Sequence, residues 1–303
     1  LTIPYGEHLF ATHSKTFHFA TRFFPATYRH PVTALYAFFR TLDDLVDEPE
    51  QGRNAQKTLR ELDAWQNWFL HGRTSPAPRE PLGSKLDAVL REYPIPHMFF
   101  LDFLDGLASD LEPQTIRTFA EMYSYCYRVA GTVGLAMATL FGLSSDQALA
   151  AAQSLGIAMQ LTNILRDVGS DLASGRLYLP QDELARFACP SAHLFALYQD
   201  QQGPDPRFRA LMRYQIERVH GYYAQGLAGV WLLPSDARLP VLIAGRLYRR
   251  ILTVIEAQGY DVLRARASTS FPEKLHEAAL ALTLDLLWRQ GERPLRDGRE
   301  VPL

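Results

Sequence analysis

Residues 155–171 read LGIAMQLTNILRDVGSD and carry polar side chains at a helical spacing. Gln160, Asn163, Asp167 and Asp171 follow one another at intervals of three, four and four, so a helix places them in one stripe. The residues around the stripe are apolar, which predicts that much of the helix is buried. Burying two carboxylates without partners is unfavourable. Because Mg²⁺ prefers oxygen ligands from carboxylates and phosphates, the stretch predicts a diphosphate and magnesium site on one helix face.

A second acidic segment lies nearer the start of the chain, where residues 40–48 read RTLDDLVDE. On a helix Asp43 and Asp47 lie one turn apart, with β-carbons ~5–6 Å from each other. Like charges at this spacing repel, and a bound cation removes the repulsion, so loss of one acid is expected to leave stability unchanged or higher. Taken alone, the segment is equally consistent with a solvated helix end. Together, the two segments predict helices that face each other and hold a diphosphate through metal ions.

Helical periodicity dominates the rest of the chain, and almost no alternating strand pattern is present. We therefore expect one all-α domain over residues 1–303, with a loosely held tail at 291–303 and loops at 71–81 and 201–206. Pro31 is expected to open the first strong helix, Gly142 to end one, and the run Ser144-Ser145-Asp146 to cap the next. The predicted helices are 32–47, 54–70, 84–92, 97–109, 115–141, 146–171, 206–230, 236–258 and 273–289.

The composition excludes several classes of protein. A net charge of −2 removes the cationic field of a nucleic-acid binder. The two cysteines, Cys126 and Cys189, are expected to be buried thiols in a reducing compartment. No signal-peptide pattern occurs near residue 1, and the longest uncharged stretch, 129–143, is shorter than a membrane span, so we expect a cytoplasmic protein. No P-loop, dinucleotide-binding, zinc-protease or serine-hydrolase motif occurs.

Four segments together resemble the squalene/phytoene synthase family of head-to-head prenyl synthases. They are HSKTF at 13–17, DDLVD at 43–47, YCYRVAGTVG at 125–134 and NILRDVGSDLASGRLYLP at 163–180. They occur in the order of the family and place the resemblance over about residues 10–290. Ser170 departs from the pattern, since many relatives carry Glu there, but it is not a metal position.

The resemblance implies an antiparallel bundle of the isoprenoid synthase type around a deep apolar cavity. It implies these Mg²⁺ and diphosphate ligands: Asp43, Asp47, Asn163, Asp167 and Asp171. It implies these substrate contacts: His13, Ser14, Lys15, Thr16, Phe17, Tyr36, Arg40, Gln160, Arg166 and Tyr248. It implies these catalytic residues, the last two in a flap over the mouth: Tyr36, Arg40, Arg166, Arg176 and Tyr178.

The implied reaction joins two prenyl diphosphates through a cyclopropylcarbinyl diphosphate, with Mg²⁺ or Mn²⁺ and without NADPH. We expect two geranylgeranyl diphosphates to yield C40 phytoene. The alternatives are a C30 squalene or dehydrosqualene synthase that uses farnesyl diphosphate, a head-to-tail prenyltransferase or terpene cyclase, and a non-catalytic helical scaffold. The apolar product suggests peripheral membrane contact, and no nucleic-acid partner is expected. The oligomeric state is open.

Chain length is expected to depend on two threonines. Bulky aromatic residues close the far end of the cavity in C30-forming relatives, and the matching positions here are Thr21 and Thr33. The alternative is that length is set by Phe23, Phe24 or Met137. Gly131 and Gly134 interrupt a predicted helix, either to let two helices approach closely or to make room for substrate.

Overall fold

The computed structural model describes residues 19–47, 55–111 and 115–291, and these residues form helices joined by loops. No strand occurs in these ranges. The main helices are α1 (Ala26–Asp47), α2 (Ala55–Leu70), α3 (Leu82–Glu92), α4 (His97–Ser109), α5 (Phe119–Cys126), α6 (Thr132–Leu140), α7 (Asp146–Arg166), α8 (Val168–Ala173), α9 (Gln181–Arg186), α10 (Ser191–Gln199), α11 (Pro206–Ala228), α12 (Ser235–Ala257) and α13 (Phe271–Arg289). The predicted all-α class is confirmed.

The first helix begins earlier than predicted. The carbonyl of Pro25 accepts hydrogen bonds from the backbone N–H groups of Tyr28 and Arg29, so Pro25 opens the helix and Pro31 lies inside it. A proline just before the first turn is favourable because its missing N–H would have had no partner there. The prediction that Pro31 starts this helix was therefore wrong.

Two long predicted helices are interrupted. The segment predicted as 115–141 becomes α5, a π-helical turn at Tyr127–Gly131, and α6. The segment predicted as 146–171 breaks at Asp167, whose φ of −101° and ψ of 10° are not helical. The Asp167 and Asp171 N–H groups still donate to the carbonyls four residues earlier, so the stripe continues across the break. The short helices α9 and α10 were not predicted, since six and nine residues leave little periodicity to detect.

The predicted helix punctuation around residue 142 is present. Gly142 follows α6 with a φ of +81°, the left-handed conformation that ends many helices, and its N–H donates to the carbonyl of Thr139. The Ser145 hydroxyl accepts from the N–H of Ala148 and caps α7.

Helix α7 lies at the centre of the bundle and packs most extensively against α11, α6 and the π-helical turn, and then against α12. Glycine makes the approach to α6 possible: a Cβ on Gly134 would lie 2.3 Å from the carbonyl oxygen of Ala152. A Cβ on Gly156 of α7 would lie equally close, 2.3 Å, to the carbonyl oxygen of Ala130. Close helix packing therefore explains Gly134, which also lies on the cavity wall.

An aromatic cluster joins α1 to α2 and α4. Phe38 is fully buried and its ring lies 5.1–6.3 Å from the rings of its neighbours, Phe39, Trp65, Phe69, Phe100 and Phe103. Aromatic pairs at such distances add to the stabilisation from burial. The cluster packs α1 against α2 and α4, and two of its members, Phe39 and Phe103, also line the cavity.

Both cysteines are free and fully buried, and burial raises the pKa of the Cys189 thiol to about 11. Within the described ranges, α7 alone is long and apolar enough to match a membrane span. Its central place in the bundle accounts for its apolar sequence.

Candidate active site

One large cavity lies inside the bundle, with a volume of about 960 Å³. Its walls come from α1, the π-helical turn, α6, α7, α8 and α12, and from residues 266–269 before α13. On α1 the cavity-lining residues extend from the apolar Val32 to the acidic Asp43. On α7 and the residue after it they extend from the apolar Ala151 to the acidic Asp167. At 1.5 Å per residue these distances are roughly 16 and 24 Å. The cavity therefore has a deep apolar part and one polar end, as expected.

Asp167 at the polar end is held by two arginines. Arg166 donates to it through Nε at 2.9 Å, and Arg266 donates through Nε at 2.6 Å and Nη2 at 3.0 Å. Burial opposes ionisation of Asp167, but these two guanidinium groups outweigh burial and hold the pKa of this carboxyl below its usual value. Asp167 is therefore ionised at neutral pH and paired with cations of the chain itself. This pairing reverses the expectation that its removal would only relieve repulsion.

The opposite wall carries an ion pair on α1. Arg40 Nη1 donates to Asp43 Oδ2 at 2.9 Å, and the same guanidinium pairs with Asp44. Burial would lower the pKa of Arg40, but the two carboxylates raise it. Asp47 is the last residue of α1, and the described structure does not include its side chain. The C-terminal end of α1 thus brings both a cation and carboxylates to the cavity.

Asn163 supplies an oxygen that fits a hard cation. Its amide nitrogen donates to Gln160 Oε1 at 3.3 Å, whereas its Oδ1 is buried and has no hydrogen-bond partner among the described residues. A buried oxygen of this kind is unfavourable unless a ligand satisfies it. With Asp43, Asp167 and Asp171 on the same cavity, the donors are all oxygens, as Mg²⁺ prefers.

In the described part of the chain, no three acidic, histidine or cysteine side chains come close enough to form a metal cluster. This arrangement suits Mg²⁺, which is commonly held by one or two carboxylates together with substrate phosphates and water. The residues present therefore fit a metal that binds with the diphosphate.

A tyrosine pair lies where the predicted flap meets the cavity. Tyr125 donates to Asp110 Oδ2 at 2.8 Å and Tyr178 donates to Asp110 Oδ1 at 3.2 Å, and the two rings stack at 5.1 Å. Burial and the Asp110 carboxylate raise the pKa of both tyrosines, so both stay protonated at neutral pH. Arg176 approaches Tyr178, and all four residues line the cavity. The Asp110 carboxylate thus fixes both tyrosine rings beside the diphosphate end of the cavity.

Most of the predicted site residues line this one cavity. They are Tyr36, Arg40, Asp43, Gln160, Asn163, Arg166, Asp167, Asp171, Arg176, Tyr178 and Tyr248. The predicted contacts His13, Ser14, Lys15, Thr16 and Phe17 lie outside the described residues. Of the chain-length pair, Thr21 is buried on the cavity wall. Thr33 does not line the cavity; its hydroxyl donates to the carbonyl of Arg29 at 2.6 Å.

Four residues of the polar end were missed as site residues in the sequence. Tyr125 was noted within a family segment, but Asp110, Arg266 and Lys274 lie in stretches without a motif. Only the fold brings them to the cavity, from the end of α4, from the segment before α13 and from the first turn of α13. The two cations follow no spacing rule that links them to the acidic segments.

The sequence profile of the squalene/phytoene synthase family matches residues 10–273. A 15-cis-phytoene synthase of Synechococcus elongatus is 39% identical over 284 residues, which cover 90% of this chain and 89% of that protein. The chloroplastic phytoene synthase 2 of Solanum lycopersicum is 35% identical over 283 residues, covering 91% of this chain and 88% of that protein. The chain belongs to the squalene/phytoene synthase family.

Solved structures agree with this assignment. A dehydrosqualene synthase in complex with a ligand superposes with a TM-score of 0.82 at 28% identity and covers 92% of this chain and 94% of that structure. A squalene synthase from Alicyclobacillus acidocaldarius has a TM-score of 0.73 at 23% identity, covering 84% of this chain and 93% of that structure, and supports the fold. The bundle is thus of the isoprenoid synthase type, and the members of this family are prenyltransferases.

Proposed function

We propose that the chain, as one catalytic domain, condenses two geranylgeranyl diphosphates head to head and releases C40 phytoene, with Mg²⁺ as its cofactor. The observation that carries the proposal is a single cavity of about 960 Å³ whose polar end collects carboxylates, arginines and tyrosines and whose remaining wall is apolar. This volume is at the upper end of the ~300–1,000 Å³ typical of small-ligand sites. Room for two prenyl chains beside one diphosphate end is what the reaction needs. The named phytoene synthases among the relatives support the product.

The residues proposed to hold Mg²⁺ are Asp43, Asp47, Asn163, Asp167 and Asp171. When bound, Mg²⁺ would supply Lewis-acid neutralisation of the charge on the departing diphosphate. The chain's own cations supply further positive charge for the diphosphate. The cations that line the same end of the cavity are Arg40, Arg166, Arg176, Arg266 and Lys274. Fixed donors of this kind stabilise developing charge because they need little reorganisation when the diphosphate leaves.

Loss of the first diphosphate leaves an allylic cation, which the double bond of the second substrate attacks. Loss of one proton from the resulting cation closes the three-membered ring and gives cyclopropylcarbinyl diphosphate. A second ionisation permits rearrangement, and loss of a proton completes phytoene. The side chains must exclude water and must not trap the cation. Tyr36 and Phe39 on α1 and Tyr248 on α12 line the cavity and offer aromatic faces that stabilise a cation without reacting. Asp110 holds the hydroxyls of Tyr125 and Tyr178 in place at the mouth.

Chain length is proposed to depend on the apolar end of the cavity. Thr21 lies there with Phe24, Val32, Met137 and Phe141, which leaves a small side chain among large ones. Because interiors pack near crystal density, a larger residue at Thr21 would remove space from a longer prenyl chain. The placement of Thr33 away from the cavity gives Thr21 the main role of the pair. Phe24 and Met137 remain contributors, whereas Phe23 is 42% exposed and is not part of the lining.

The test is product analysis by mass spectrometry. Geranylgeranyl and farnesyl diphosphate are offered separately and then in competition, with Mg²⁺ and without NADPH. We expect a C40 product from geranylgeranyl diphosphate and no need for reductant. A clear preference for farnesyl diphosphate would assign the C30 alternative, a product that requires NADPH would overturn the proton-loss ending, and no turnover with either substrate would favour a scaffold role.

The apolar product also supports contact with a membrane. We propose that the protein works in the cytoplasm and meets the bilayer peripherally, where phytoene can leave the cavity without crossing water. Fractionation of producing cells into soluble and membrane-bound pools tests this part of the proposal.

A further inference from the structure

Helix α13 has the reverse of the usual amphipathic pattern. A surface helix normally turns its apolar side chains toward the core. Here the inward positions carry acids at intervals of four or eight residues, and Glu277 and Asp285 are buried, at 8% and 2% exposure. Each acid meets an arginine of α12: Glu273 with Arg250 at 3.1 Å, Glu277 with Arg246 at 2.9 Å and Asp285 with Arg238 at 3.9 Å. Ion pairs with α12 therefore help to attach α13 to the bundle, together with buried Ala281 and the stacking of Trp288 on Trp231.

The outward side of α13 is apolar instead. Of the eleven large hydrophobic side chains that are exposed in the described structure, six lie on this helix. They are Phe271, Leu275, Leu280, Leu282, Leu286 and Leu287. Phe271, Leu275, Leu282 and Leu286 follow intervals of four, seven and four, which places them along one line of the helix that does not include the positions of the acids. We call these four residues the outer stripe. Such a concentration of exposed apolar side chains marks a contact surface.

The outer stripe begins at the mouth of the cavity. Residues 266–269, directly before α13, line the polar end of the cavity, and Lys274 in the first turn of the helix does so as well. Phe271 and Leu275, the first two residues of the stripe, therefore lie within two residues of cavity-lining residues in the sequence. Whatever covers the stripe lies beside the route by which an apolar product leaves.

The size and charge of the face favour one occupant. The nineteen residues of α13 span roughly 28 Å, and a helix is ~10 Å wide, so the face offers about 280 Å². A stable dimer buries ~800 Å² on each partner, which is far more. An interfacial helix, in contrast, needs only an apolar face that sinks ~5–10 Å into the lipid boundary. No exposed acid occurs on α13, so anionic lipid would meet no repelling carboxylate there.

We propose that the outer stripe of α13 is the surface by which the protein docks on a lipid bilayer, with the cavity mouth held at the membrane. This inference rests on the proposed function in one respect: a cavity mouth held at the membrane would let a prenyl product pass directly into lipid. Binding itself depends only on the apolar face. Arg264 and Arg266, which precede the helix, are paired with Asp261 and Asp167, so no preference for anionic headgroups is assigned to them.

The test is cosedimentation with vesicles of phosphatidylcholine mixed with phosphatidylglycerol, and with vesicles of phosphatidylcholine alone. The full chain is expected to sediment with both kinds of vesicle, because the apolar stripe carries the binding. The stripe variant Leu275→Gln/Leu282→Gln/Leu286→Gln is expected to lose at least tenfold in partitioning, since interfacial binding scales with buried apolar area. These side chains are exposed at 51%, 46% and 49%, so the fold is expected to be retained, as circular dichroism can verify.

A matched control makes the same change off the stripe. Leu59→Gln/Leu70→Gln/Met98→Gln alters side chains that are 42%, 67% and 59% exposed on α2 and α4, and it is expected to sediment like the parent chain. Equal loss in both variants, or a parent chain that binds neither vesicle, would overturn the proposal. So would a parent dimer that the stripe variant converts to monomer in light scattering without any lipid dependence. Turnover in detergent, which both variants should retain, is measured separately, so failure of the proposed reaction is distinguishable from failure of docking.

Discussion

Replacement of Asp167 by alanine should destabilise the protein as well as abolish turnover. Asp167 is flanked by Arg166 and Arg266, and its side chain is only 19% exposed. Its removal leaves the guanidinium of Arg166, 15% exposed, without the carboxylate that neutralises it. Breaking a fully buried pair costs about 3–5 kcal/mol, and an exposed pair contributes about 0–1 kcal/mol. For this partly buried pair we expect a loss of about 2 kcal/mol.

Asp43→Ala is the matched comparison, because it removes another proposed metal ligand, which lies on the α1 wall of the same cavity. The Asp43 side chain is 38% exposed and pairs with Arg40, which keeps its second partner Asp44. Solvent screens the lost pair, so we expect a change of about 0.5 kcal/mol or less. Both variants are expected to lose turnover by orders of magnitude, since each removes a carboxylate at the diphosphate end.

The assay is thermal unfolding in the presence of EDTA, which keeps divalent ions from stabilising either protein. A loss of about 2 kcal/mol corresponds to roughly 4–8 °C in domains of ordinary size, and a chain of this length should fall near the lower value. Asp43→Ala should melt within about 1 °C of the parent, from the same scaling. Asp167→Ala that melts with the parent, or above it, would refute the reasoning from ion pairing and restore simple acid repulsion. Retained turnover in either variant would refute the metal assignment.

Three further predictions follow from single contacts. Thr21→Phe should shift the product from C40 toward C30, whereas Thr33→Trp, away from the cavity, should leave the product ratio unchanged; equal shifts would contradict the assignment. Gly134→Ala should cost about 1–3 kcal/mol in urea unfolding, because its Cβ would lie 2.3 Å from a carbonyl oxygen of α7. Hydrogen bonds from Ser270, with a smaller contribution from Arg250, hold the pKa of Glu273 below its usual value. A depressed carboxyl pKa stabilises the fold above the unfolded value of ~4.3 and ceases to do so as pH falls through the folded value. The stability gap between the parent and Glu273→Ala should therefore be present at neutral pH and close at the acid end, and a gap independent of pH would contradict it.

The sequence alone allowed the polar stripe of α7 to be recognised. Gln160, Asn163, Asp167 and Asp171 keep a helical spacing, and periodicity is a local property that survives the break at Asp167. The resemblance of short segments to the family predicted further site residues, of which Asp43, Arg176 and Tyr178 line the cavity. Helix ends were less predictable, as Pro31 shows, because a proline can lie within a helix when an earlier residue starts it.

The residues that set the length of the product, and those that hold other site residues in place, were harder to predict. Thr21 and Thr33 were chosen by the same spacing argument, yet only Thr21 reaches the cavity, because rotation about the helix axis and the path into α1 decide which side chain turns inward. Asp110 was not expected at all. Its role depends on α4 ending beside Tyr125 and Tyr178, which are 15 and 68 residues away in the chain.

By itself the sequence determined an all-α family member with two acidic segments and an apolar interior, because helical spacing and local motifs are encoded in neighbouring residues. Only the tertiary structure decided that Arg266 pairs with Asp167 across 99 residues and that Lys274 reaches the cavity. Only it showed that α13 turns its acids inward and its leucines outward. Such contacts depend on how whole helices pack and on which arginine lies opposite which acid, and no short-range pattern in the chain records that.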